Sequence, residues 1–121
     1  MGRGSSKVRG TRYNTSGVLF DERKAGATYQ SLPNYLQNSI KDNLKPSEQM
    51  QEYIREGRGT SLTDEWSAGL RGVKEKRKVI TKYENGRVTY TVKAGRSTII
   101  KDGTVEQAAN QVALFYKKYM K

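Results

Sequence analysis

Between positions 71 and 101 the chain sets ten lysines and arginines against two acidic residues, a local charge of +8. Eight of them, Lys76, Arg77, Lys78, Lys82, Arg87, Lys93, Arg96 and Lys101, lie in or beside stretches that alternate apolar and polar residues. A second group, Arg3, Lys7, Arg9 and Arg12, gives residues 1–20 a charge of +4 with no acid among them. Side chains of this kind hold phosphates. Each contact releases a condensed counterion, so affinity for a polyanion falls steeply with salt. These twelve residues are the candidate set for binding nucleic acid or another nucleoprotein partner.

Other chemistry is thinly supplied. The chain has no His and no Cys, which removes the commonest general base, the thiolate nucleophile, the disulfide and the usual zinc ligands. Catalysis would have to rest on carboxylates, and Asp42, Glu48, Glu52, Glu56, Asp64 and Glu65 fall on expected helix surfaces or caps without convergent pairing. Glu22-x-Lys24 matches half of a metal-nuclease pattern but lacks the upstream strand with its own Asp. The expectation is a non-enzymatic protein without cofactor or metal.

The elements that must position the cations follow from local pattern. Asn85-Gly86 between two alternating runs is a strong hairpin signal. A two-residue turn there sets Tyr83 opposite Val88, Thr81 opposite Tyr90 and Val79 opposite Val92 on the core side of a sheet. Lys78, Ile80, Lys82, Thr89, Thr91 and Lys93 then share the outer side. A second turn at Ala94-Gly95 leads into a third strand, Arg96 to Lys101, which adds Arg96, Thr98 and Ile100 to that face. Lys78 stands opposite Lys93, and Lys93 opposite Arg96, in a row of like charges that a bound polyanion would relieve; long side chains splaying into salt solution would relieve it too. With both tyrosines turned to the core, base stacking is not expected and contacts should be mainly to phosphate.

Helices are expected on the other side. Leu32, Tyr35, Leu36, Ser39, Ile40 and Leu44 repeat at three and four, with Pro33 in the first turn and Pro46 beyond the end. Ser47 caps a second helix carrying Met50, Tyr53 and Ile54, and Gly57 supplies its left-handed stop. Leu62, Trp66 and Leu70 at intervals of four, behind Ser61, read as a third short helix with the Trp in the core. Thr104 and Gln107 form a capping box for a last helix whose stripe is Val105, Ala108, Val112, Phe115 and Tyr119. The fold class is therefore α+β: a small three-stranded antiparallel meander, about 76–101, packed on one face by a C-terminal helix, 104–120, and preceded by two or three short helices.

The overall balance of 23 cations to 12 acids, a net charge of +11, meets a chain in which Leu, Ile, Val and Phe total only 22 of 121 residues. That combination leans towards disorder, and the lean concentrates in residues 1–20, where Gly, Ser, Thr and Asn leave little to bury. They read as a flexible basic arm ahead of one α+β domain, 21–121. No apolar run is long enough for a membrane span or a signal peptide, so a cytoplasmic protein is expected.

Three function classes remain. The first is a small basic protein that engages nucleic acid or a ribonucleoprotein through the cationic sheet face and arm. The second is a protein-interaction inhibitor of a nucleic-acid-processing enzyme. In size and layout, a basic arm before a small α+β body, the chain is similar in outline to small phage-encoded proteins, including some anti-CRISPR inhibitors; that likeness implies the host cytoplasm and a CRISPR effector as one such enzyme, and transfers no residue. The third is a virion or structural accessory protein.

Overall fold

A computed structural model of the chain describes residues 19–120. The arm cations Arg3, Lys7, Arg9 and Arg12 lie outside the described residues. Within them the order is α1 (Ala27–Gln30), α2 (Asn34–Leu44), α3 (Glu48–Glu56), β1 (Leu62–Ala68), β2 (Arg77–Glu84), β3 (Arg87–Ala94), β4 (Ser97–Gly103) and α4 (Val105–Tyr119). The four strands form one antiparallel sheet in sequence order.

Local chemistry sets most of these boundaries. The Ser47 side chain accepts from the Met50 amide at 3.2 Å, and α3 stops at Gly57 with φ +65°, where a residue without Cβ is least strained. At α4 the Thr104 hydroxyl accepts from the Gln107 amide at 3.1 Å while the Gln107 side chain accepts from the Thr104 amide at 2.8 Å, closing the expected capping box. The β2–β3 turn places Asn85 and Gly86 at φ +52° and +78°, both left-handed, as the right-handed strand twist favours.

The hairpin register agrees with expectation: Tyr83 pairs with Val88, Thr81 with Tyr90, Val79 with Val92 and Lys78 with Lys93. Val79, Thr81, Tyr83, Tyr90 and Val92 are buried on the face covered by α4, which also packs against α1 and α2. Because α4 has neighbours on two sides, its buried set is wider than one stripe and includes Ala109, Ala113 and Tyr116. The Tyr90 hydroxyl donates to the Leu44 carbonyl at 2.6 Å, tying the end of α2 to the sheet.

Three expectations are corrected. Residues 62–68 are an edge strand, not a helix, so the meander gains a fourth strand. Leu62 and Trp66 are four apart, a spacing that keeps two residues on one face in either periodicity, and Trp66 pairs with Val79 half-buried on the core side. The inward position between them holds Asp64, whose carboxylate accepts from the Ser47 amide at 3.2 Å; a polar residue there masks the strand alternation. Secondly, the β3–β4 turn is Gly95-Arg96, with Ala94 opposite Ser97 and Lys93 opposite Thr98, so Arg96 is not in the row of like charges. Gly95 at φ +61° takes the turn's left-handed position. Thirdly, register shifts flank Val92, whose partner is Ile100. Ile100 therefore packs against the core instead of joining the outer face.

Candidate functional site

The open face of the sheet carries rows set by the ladder. Ser67, Lys78, Lys93 and Thr98 form one row across all four strands. Glu65, Ile80 and Thr91 form the next, and Thr63, Lys82 and Thr89 the one after. The edge strand thus brings Glu65 onto a face expected to be cationic, with Lys78 Nζ 3.8 Å from its carboxylate. On β4 the irregular register turns Asp102, at φ +52°, so that its amide donates to Thr91 Oγ1 at 3.1 Å and its carboxylate accepts from Thr89 Oγ1 at 3.5 Å.

Charge along the sheet is therefore uneven. Lys82 lies 3.4 Å from Glu84 and 4.0 Å from Asp102; these groups and Arg87 border one depression near the Asn85-Gly86 turn. At the opposite end, about 13 Å along the strand from Lys82 by the usual rise per residue, a separate open depression of about 530 Å³ is bordered by Ser67, Lys74, Glu75, Lys76, Arg77, Lys78, Lys93, Ala94 and Gly95. Its cations outnumber its acids. Lys74, Lys76 and Lys93 have no carboxylate within 4.0 Å among the described residues.

Of the sequence-derived candidates, Lys76, Lys78 and Lys93 meet at this basic end. Arg96 is exposed in the adjoining turn, and Lys101 is exposed on β4. Arg77 points the other way: its guanidinium lies 4.9 Å from the centre of the Phe115 ring on the helix side and donates to Glu75 at 2.5 Å. The Glu75 carboxylate also accepts from Lys118 Nζ at 3.4 Å and from the Tyr119 hydroxyl. Those hydrogen bonds, chiefly from Tyr119 and Arg77, hold the carboxyl down at about 2. Lys74, Ser67, Lys118 and Tyr119 were not among the candidates. The cation run Lys74-Glu75-Lys76-Arg77-Lys78 signals the first, but nothing local signals contacts from Lys118 and Tyr119, 43 and 44 residues away.

Among the described residues no three acidic side chains gather as a metal site, and no helix is long and apolar enough to cross a membrane. The exposed face from Thr63 to Thr98 carries hydroxyls, ammonium groups and carboxylates but no aromatic ring in its paired rows. Such a surface can hold anions by charge and hydrogen bonding; it has no platform on which a base could stack. No family model, curated protein or solved structure matches the chain.

Proposed function

We propose that this chain is a small non-enzymatic binding protein that engages nucleic acid, alone or within a nucleoprotein complex, through phosphate contacts at the basic end of its sheet. The carrying observation is the opposed pair Lys78 and Lys93 beside Lys74 and Lys76 around one depression. Four ammonium groups there face Glu65 and Glu75 as the nearby acids, and a phosphate backbone supplies the missing negative charge. Ser67 and Thr98 at the ends of the row offer hydroxyl donors to the same oxygens. Absence of aromatic rings from the rows favours binding with weak sequence preference. The basic residues of the first twenty positions add to the same electrostatic attraction.

The test is a titration of labelled duplex DNA and duplex RNA across salt concentrations, with the wild type and a Lys76→Glu, Lys78→Glu, Lys93→Glu variant. Wild-type affinity should fall steeply with salt and the variant should lose most of it. Equal binding by both proteins would remove the sheet from the interface.

A further inference from the structure

We infer that Arg77, Lys118 and Tyr119 form a phosphate subsite of the basic end, filled in the free protein by the Glu75 carboxylate, which a ligand phosphate displaces. The inference deepens the function proposed above and rests on it where the phosphate belongs to a nucleic acid.

The donors are held by regular structure and the acceptor is not. Arg77 opens β2, and its side chain is only 12% exposed against the Phe115 ring. Tyr119 and Lys118 sit in the last turn of α4; the Tyr119 ring meets Phe115 edge-on at 5.5 Å and 67°, and Lys118 Nζ lies 5.3 Å from the Tyr119 ring centre. Glu75 comes from the segment between β1 and β2, where Leu70 and Val73 pack against the core and a Val73 amide to Leu70 carbonyl bond of 3.1 Å closes a turn. Glu75 lies beyond those anchors and belongs to neither β2 nor α4.

The donor set suits phosphate as well as carboxylate. A guanidinium fork and an ammonium group bind either oxyanion by charge-assisted hydrogen bonds, and two cations against one carboxylate leave the cluster net positive. Its carboxyl stays ionised far below neutrality, so Glu75 competes with phosphate throughout the physiological range. Glu75 and Arg77 also border the depression of Lys78 and Lys93, so the subsite, on the helix side of the sheet, adjoins the lysine row around the start of β2. Displacing Glu75 frees Arg77 and Lys118 for the ligand and removes a like charge from beside it.

The test compares the full chain with Glu75→Ala, with Glu75→Ala/Lys118→Ala, and with Glu52→Ala, which removes one exposed carboxylate from α3 as a charge control. Two probes are used: inorganic phosphate, read as a shift in thermal midpoint against chloride at equal ionic strength, and a labelled duplex, read as log affinity and its slope against log salt. Phosphate should stabilise Glu75→Ala more than the wild type or the double variant. Glu75→Ala should bind the duplex more tightly than the wild type at each salt concentration with an equal slope, since each phosphate contact contributes about 0.9 to its magnitude and the two bound states make the same contacts. Glu52→Ala should match the wild type in affinity as well as slope. A phosphate response in Glu75→Ala no larger than that of the wild type overturns the subsite. A phosphate response confined to Glu75→Ala, with no duplex bound by any of the proteins, upholds the subsite for free phosphate and overturns the nucleic-acid reading.

Discussion

Lys78 on β2 stands directly opposite Lys93 on β3, in a row bounded by Ser67 and Thr98. Like charges at that separation are mildly destabilising, and the 3.8 Å contact from Lys78 to Glu65 offsets little because both groups are well exposed. Lys93→Glu should therefore stabilise the fold by about 0.2–1 kcal/mol, with the gain shrinking at high salt. Urea unfolding at low and high ionic strength checks this, and a loss of stability at low salt would show that the pair is not strained. On the proposed function the same variant binds polyanions more weakly, so stability and binding move in opposite directions.

Tyr90 illustrates the cost of a buried polar group. Its hydroxyl donates to the Leu44 carbonyl at 2.6 Å within the core, and Tyr90→Phe leaves that carbonyl without its partner, costing about 1–3 kcal/mol. Chemical denaturation of the two proteins at neutral pH measures the difference. Burial raises the Tyr90 hydroxyl well above its ordinary value of 10.0. Its contribution is thus complete below about pH 10 and is lost as the pH rises further, because the unfolded chain ionises first. Tyr90→Phe should flatten the alkaline decline in stability, while Tyr29 and Tyr116, also raised chiefly by burial, preserve part of it.

Gly103 joins β4 to α4 in a place where a side chain has no room. A Cβ there would lie 2.5 Å from Ile100 Cγ2 and collide with the Gln107 side chain that closes the capping box. Gly103→Ala should destabilise by about 1–3 kcal/mol through crowding, with about 1 kcal/mol more if the cap opens. Thermal unfolding measures the loss, and a midpoint equal to that of the wild type would mean that the junction yields at no cost. Gly57 meets nothing within 4 Å, so Gly57→Ala registers the backbone conformation alone.

Much of this architecture is legible in short stretches of chain. Asn85-Gly86 defines a two-residue turn, and with a side-chain period of two that turn dictates every pair from Glu84–Arg87 to Lys78–Lys93. Ser47, Gly57, Thr104 and Gln107 mark helix ends because their partners lie within a few residues. The cation cluster is visible as well, in the run from Lys74 to Lys78.

What the sequence determined by itself is the set of relationships closed by neighbours: caps, the hairpin and its opposed lysines. The remainder was decided by contacts between distant segments. Asp64 occupies an inward strand position because its acceptor is needed at the start of α3, and that role hid a fourth strand whose Glu65 tempers the cationic face. Ile100 left the expected outer face for the core because the β3–β4 register shifts beside Val92. Arg77, on the same side of β2 as Val79, meets Phe115 and Glu75 because α4 covers that face of the sheet. Local pattern specifies which residues alternate; only packing specifies which face meets the helix and which charges end up within reach of one another.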